Sequence, residues 1–215
     1  YSRKIDMELL TLAAGGTVAG TLSMPGSKSL SNRALLLSAF CAAPTALSNV
    51  LDADDIRHMR GAFKALGVAV AEQGESLVVQ GPWQPGTPAE PIFLGNAGTA
   101  MRPLTAALAL TPGTFELVGE PRMYERPIGD LVDALRQLGA DISYLGEDGY
   151  PPLKINGKKL AGDTLSVKGD LSSQFLSALL MAAPLCEGDV TIKVDGELVS
   201  KPYVELTLGL MAIFG

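Results

Sequence analysis

The chain has 215 residues, 47% hydrophobic and 19% charged, enough for one sizeable globular unit or two small ones and unlike the composition of a disordered segment. Acidic side chains outnumber basic ones by 23 to 17, a formal net charge of −6, so the overall balance favours neither nucleic acid nor an anionic membrane and any basic site must be local. No apolar run reaches the ~18 residues of a membrane span.

At the start, Arg3 and Lys4 could pass for the charged head of a signal peptide, but Asp6 and Glu8 interrupt what should become an apolar run; the protein is therefore expected in the cytoplasm. Residues 1–6 fit a fusion remnant ahead of a natural start at Met7 as well as they fit native sequence. The turn Pro25-Gly26-Ser27-Lys28-Ser29 then runs into an apolar pattern that predicts a helix over Leu30–Phe40. A strand follows over Thr45–Val50, a helix over Asp54–Leu66 closed by Gly67, and a hairpin of Val68–Ala71 with Ser76–Val79. The same order returns. Gly95-Asn96-Ala97-Gly98-Thr99 leads into a helix over Ala100–Leu110, a strand over Thr114–Val118, a helix over Ile128–Leu138 closed by Gly139, and a hairpin of Asp141–Leu145 with Leu153–Ile155. The third round is Gly169-Asp170-Leu171-Ser172-Ser173-Gln174, a helix over Phe175–Ala183, a strand over Asp189–Val194, and a helix over Tyr203–Phe214 before Gly215.

The opening glycines, Gly26, Gly95 and Gly169, lie 69 and 74 residues apart, and the closing ones, Gly67, Gly139 and Gly215, 72 and 76 apart. Such regularity marks an internal repeat, here of the form βαβαββ. The third round lacks its hairpin, and since an incomplete sheet would leave an unpaired edge, the chain is expected to be a fragment of a longer protein.

The three turns precede helices, and helix N-termini bind anions through their unpaired N–H groups and dipole. In the first, Lys28 sits at the helix start, with Ser29 and Arg33 four apart on one face; a capped start with solvated cations is the plainer alternative. A nucleotide-binding P-loop is rejected, because Ser27 separates the glycine from the lysine. In the second, Asn96, Gly98, Thr99 and Arg102 surround a tight turn that a ligand can approach closely, with Pro103 expected in the first helical turn, where no N–H is needed. Between Glu120 and Pro127, Arg122 and Arg126 are suited to carboxylate or phosphate recognition, or to surface pairing with Glu120 and Glu125. Ser172, Ser173, Gln174, Ser200 and Tyr203 supply neutral donors or caps. Asp52, Asp54 and Asp55 are read as helix-start residues, His58 is given no role, and Cys41 and Cys186 are read as small buried hydrophobes.

Together, the stretches PGSKSLSNRALLL, LGNAGTAMRPL, GEPRMYERPIGDLVDAL, DLSSQFLSALLMAAP and VSKPYVELTLGLM closely resemble the amino-terminal half of the 5-enolpyruvylshikimate-3-phosphate synthase family, from about Leu10 onward. The resemblance implies an α/β lobe of the enolpyruvyl transferase type: three βαβαββ repeats forming an inverse α/β prism, helices buried between short mixed sheets, and the third repeat truncated. Residues 1–20 would lead toward the other lobe and be poorly anchored; the substrate-binding lobe would span 21–215, with repeats at about 21–90, 91–163 and 164–215.

The implied reaction is that of a transferase of the shikimate pathway, in aromatic amino acid biosynthesis. The 5-hydroxyl of shikimate 3-phosphate adds to C2 of phosphoenolpyruvate, and a tetrahedral intermediate expels phosphate, with no metal or organic cofactor. Carried over by motif, Lys28 would be catalytic and touch both substrates. Ser29, Arg33, Ser172, Ser173, Gln174, Ser200 and Tyr203 would hold shikimate 3-phosphate. Gly98, Arg126 and Gln174 would line the phosphoenolpyruvate site, shaped by Asn96, Thr99 and Arg102, where the inhibitor glyphosate would also bind. The proton-transferring carboxylates would come from the carboxy-terminal lobe, leaving this lobe inactive alone and the full enzyme a monomer without nucleic-acid or membrane partners. Two rivals stand beside this reading: the related transferase acting on UDP-N-acetylglucosamine, against which Ser29, Arg33 and the Ser172–Gln174 cluster speak, and a non-catalytic module that binds a phosphorylated metabolite.

Overall fold

Ser27 and Ser172 each cap a helix, and this decides where the site begins. The Ser27 hydroxyl accepts from the N–H of Leu30 at 3.4 Å, and that of Ser172 from the N–H of Gln174 at 3.4 Å. The computed structural model, which describes residues 15–16, 19–170 and 172–215, accordingly places α1 at Lys28–Phe40 and α5 at Ser173–Ala182. Between them α3 runs Gly98–Ala109. Each of these helices starts two residues earlier than its apolar pattern predicts, because a cap and a first turn are polar and do not register as periodicity. The expected leading segment 1–20 falls almost wholly outside the described residues, as does Leu171 of the third turn.

The earlier start corrects the position of Pro103. It lies in the second turn of α3, where its missing N–H removes the bond to the carbonyl of Thr99. The helix persists because Ala100, Met101, Leu104, Ala107 and Leu108 are all fully buried, each larger side chain contributing ~1.5–3 kcal/mol. An all-round apolar helix is stable only inside a core.

The second helix of each round, α2 (Asp54–Leu66), α4 (Gly129–Gln137) and α6 (Lys201–Phe214), is amphipathic or half-exposed. Gly67 closes α2 with φ 78°, and Gly139 follows α4 with φ 92°, the left-handed geometry that glycine adopts without penalty. Packing is cyclic: α2 lies against α1 and α3, α4 against α3 and α5, and α6 against α5 and α1. No described helix is long and apolar enough to cross a membrane.

Among the described residues, three small sheets flank the helices. β1 (Thr45–Ser48), β2 (Val70–Gln73) and β3 (Ser76–Val79) form an antiparallel sheet in the order β1-β3-β2. β4 (Ile92–Phe93), β5 (Gly113–Val118), β6 (Asp141–Tyr144) and β7 (Leu153–Gly157) form a mixed sheet in the order β4-β5-β7-β6, with only β4 and β5 parallel. β8 (Thr164–Lys168) pairs in parallel with β9 (Thr191–Asp195). The expected hairpins correspond to β2–β3 and β6–β7. β4 and β8 stand at the leading-strand position of the βαβαββ form, to which the sequence pattern gives no residue bounds; β4 is two residues long, whereas the inward Leu165 and Val167 of β8 make a period-2 signal that was there to read.

The turns ahead of α3 and α5 are tied to the chain leaving a strand. Leu94 N–H donates to Val118 O at 2.8 Å and Glu120 N–H to Gly95 O at 2.9 Å; Gly169 N–H donates to Asp195 O at 2.7 Å and Val199 N–H to Gly169 O at 3.0 Å. Ahead of α1, the Cβ of any larger residue at Gly26 would strike the backbone at Asn49 and Leu51. These ties hold the three helix starts in place.

Candidate active site

The starts of α1, α3 and α5 open onto one cleft of about 420 Å³. From α1 come Lys28, Ser29 and Arg33, from the turn and start of α3 come Asn96, Gly98 and Thr99, and from the start of α5 come Ser172, Ser173 and Gln174. Arg126 and Tyr203 complete the set together with Asp55, Pro103, Ser177 and Met181. The volume lies in the range of small-molecule sites. Three cations and one carboxylate line it, so a positive cleft sits in a chain of net charge −6.

Lys28 is not simply solvated. Its Nζ lies 3.3 Å from Asp55 Oδ1, and Asp55 Oδ2 accepts from the hydroxyl of Thr99 at 2.6 Å. Thr99 Oγ1 in turn accepts from Asn32 Nδ2 at 2.7 Å. The chain Lys28–Asp55–Thr99–Asn32 thus links α1, α2 and α3 along the cleft wall, with the Oδ1 of buried Asn32 unpartnered among the described residues. Asp54 and Asp55 do stand in the first turn of α2, but its N-cap is Ala53, without a side-chain bond, and Asp52 and Asp54 pair with Arg57. Asp55 and Asn32 are site residues that the sequence reading misses. A first-turn carboxylate four positions before Met59, on the buried stripe of α2, was the available signal.

Arg126 turns inward: its Nη1 donates to Asn96 O at 2.7 Å and to Asn96 Oδ1 at 3.2 Å. The surface pairing considered for this segment belongs instead to Arg122 with Glu125, on a 3₁₀ turn over Pro121–Glu125. Asn96 O also accepts from Gly98 N–H at 3.0 Å, which tightens the turn. Arg102 lies behind it, 6% exposed, with its guanidinium 5.4 Å from the ring of Phe175. Its Nη2 donates to Pro127 O at 3.2 Å, whereas Nε and Nη1 have no partner among the described residues. Burial, with the nearby charge of Arg126 adding to it, lowers its pKa to about 10. Arg102 borders a second chamber of about 450 Å³, shared with Arg126, Ser172 and Gln174 and including Lys168.

The family model for EPSP synthase (3-phosphoshikimate 1-carboxyvinyltransferase) matches residues 12–215. The chain belongs to this family. Among curated relatives, the 3-phosphoshikimate 1-carboxyvinyltransferase of Shewanella halifaxensis is 57% identical over 214 residues, that of Shewanella amazonensis 59% over 214, and that of Tolumonas auensis 56% over 213. Each alignment takes in 97% of this chain and 50% of the relative; the chain spans about half the length of the curated relatives it matches. The solved EPSP synthase of Acinetobacter baumannii superposes with a TM-score of 0.76 at 27% identity, over 86% of this chain and 42% of that one.

Within this EPSP synthase family chain, most expected site residues meet in the cleft. Ser200 is outside its lining, at the N-cap of α6 with φ 54° and no capping bond, so the capping alternative for it does not hold. Cys41 and Cys186 are half-buried free thiols at the ends of a helix and a 3₁₀ turn, not core residues; the apolar helical pattern ends just before each. His58 packs its ring edge-on to Phe93 at 5.6 Å and against Gly95, a structural position.

Proposed function

We propose that this chain supplies one wall of an active site that transfers the enolpyruvyl group of phosphoenolpyruvate to the 5-hydroxyl of shikimate 3-phosphate, releasing phosphate. The observation that carries the reading is the convergence of three helix starts with Lys28, Arg33 and Arg126 on one cleft. Both substrates are multiply charged anions, and fixed cations and helix ends are suited to them. Ser29, Arg33, Ser172, Ser173, Gln174 and Tyr203 hold shikimate 3-phosphate. Asn96, Gly98, Thr99 and Arg126, with Gln174 shared and Arg102 behind, receive phosphoenolpyruvate, and the inhibitor glyphosate competes there.

In the transfer, the 5-hydroxyl gives up its proton as its oxygen bonds to C2 of phosphoenolpyruvate and C3 takes up a proton; C3 then returns a proton as the C2–O bond to phosphate breaks and the C2=C3 double bond re-forms. Lys28, between the two subsites, stabilises the charge on the departing group, and the clamped substrates meet with little further loss of freedom. The proton-transferring carboxylates belong to the half of the relatives that this chain does not span, so this chain alone binds without turnover. The same reading divides residues 21–215 into three repeats of an inverse α/β prism, about 21–90, 91–163 and 164–215, after a leading segment 1–20. The cyclic packing of α2, α4 and α6 on α1, α3 and α5 supports that division.

Calorimetry with shikimate 3-phosphate tests the site. The chain is expected to bind it and Arg33→Ala to lose at least about tenfold in affinity, the scale of one charge-assisted contact; equal affinities would overturn the assignment. Phosphate release by this chain alone, above a protein-free control, would overturn the claim that it is only one wall.

A further inference from the structure

Arg33 is 7% exposed, and no carboxylate among the described residues lies within ion-pair distance of it. Neutral oxygens hold it instead. Its Nε donates to Thr207 Oγ1 at 2.9 Å, its Nη2 to Ser177 Oγ at 3.1 Å, and its Nη1 to Ser29 O at 3.1 Å and to Ser29 Oγ. Ser177 and Thr207 are themselves 1% and 0% exposed, on α5 and α6, and their hydroxyls lie 3.0 Å apart. Thr207 spends its own proton on Tyr203 O at 2.8 Å. It can therefore only accept from Ser177, and both hydroxyls present lone pairs to the guanidinium. Four of five N–H donors are occupied, leaving one Nη2 hydrogen on a residue that lines the cleft.

We propose that Ser177 and Thr207 are positioning residues that fix the Arg33 guanidinium in direction while leaving its charge uncompensated for the substrate anion. A carboxylate in their place would hold the guanidinium as firmly and cancel the charge the ligand needs, whereas hydroxyls satisfy buried N–H groups without neutralising them. Burial draws the Arg33 pKa below the ordinary guanidinium value, with Tyr203 opposing, as a buried cation without a counter-ion requires. The inference rests on the assignment of Arg33 to shikimate 3-phosphate made above, and it gives α6 a second role beside Tyr203, through the buried Thr207.

Two measurements on the labelled chain test it. Hydrogen exchange at Arg33 Nε–H, followed by NMR, is expected to accelerate at least about tenfold in Thr207→Val, the loss of a buried bond to a charged donor, and to return in Thr207→Ser while Arg57 does not change. Unchanged exchange in Thr207→Val would overturn the proposal. By calorimetry, Ser177→Ala and Thr207→Val are each expected to weaken shikimate 3-phosphate about tenfold, but to add nothing in an Arg33→Ala background. Losses as large in that background as in the parent would mean that the hydroxyls act on folding and not through Arg33. If the parent chain binds no shikimate 3-phosphate, the functional reading fails, and exchange alone decides whether the hydroxyls hold Arg33.

Discussion

At the scale of single residues, Gly98 and Arg102 show how little space the proposed anion site has. A Cβ at Gly98 would meet the guanidinium ends of Arg102 and Arg126, with Arg126 Cζ at 2.8 Å. Both are ends of flexible side chains, so Gly98→Ala is expected to fold, with the two cations displaced toward the space an anion would fill. Glyphosate, longer than phosphoenolpyruvate, should lose about tenfold or more in affinity, the reach of one added methyl in a tight site, while phosphoenolpyruvate loses less. Titration of both ligands onto the variant in the presence of shikimate 3-phosphate reads this, and equal losses would refute it. Arg102 carries a pH signature. Its pKa is lowered to about 10 by burial first and Arg126 second, so above that pH the folded chain binds fewer protons at this site than the unfolded chain does. The cost of burying its charge is thus present at neutral pH and is relieved as the pH rises through 10 toward the usual guanidinium range. The Arg102 ¹³Cζ resonance should titrate near 10, whereas exposed Arg57, whose pKa is raised by its bonds to Asp52 and Asp54, should not; a common midpoint would sink the assignment. A bound phosphate should move the Arg102 midpoint upward, because an anion favours the charged form.

Elements explain the glycines better than ligands do. The turn glycines suggest backbone approach to an anion, yet a Cβ at Gly169 would strike backbone at Gly196 and Glu197, and one at Gly26 the backbone at Asn49 and Leu51. Gly95 adopts φ 52° and sits against the His58 ring. These residues let the turn before one helix press against the segment leading into the next, and only Gly98 faces the cleft. Gly169→Ala is therefore expected to destabilise the chain by ~1–3 kcal/mol, as overpacking against backbone does. Urea denaturation measures it, and a change below ~0.5 kcal/mol would show that the contact is not needed. The helix starts follow the same logic: caps at Ser27 and Ser172 place Lys28 and Ser173 in the first turn, where their N–H groups have no helical partner.

The whole molecule concentrates positive charge in one cleft of a chain whose net charge is −6. Binding of shikimate 3-phosphate should accordingly weaken about three- to tenfold as sodium chloride rises from about 0.05 to about 0.5 M, where screening shortens from the scale of the cleft to that of a contact. Affinity independent of salt would argue against an electrostatic site. Much of this was legible beforehand. Among the described residues, the six α-helices and the two hairpins follow from apolar periodicity and glycine stops, and eleven of the residues that the family resemblance carries over by short motif line the cleft, from Lys28 through Tyr203; all of these signals are local. Residues acting across elements could not be read this way. Asp55 stands in a run of three acids that looks alike in sequence, yet only its carboxylate reaches Lys28 and Thr99; Ser177 and Thr207 lie within apolar helices and meet Arg33 across separations of 144 and 174 residues. Local pattern determines which segments become helices and which residue types stand at their starts, because caps and periodicity are properties of neighbours along the chain. Which carboxylate tethers the lysine, and which hydroxyls aim the arginine, is decided only by packing, because those contacts exist only after α2, α5 and α6 are brought against α1.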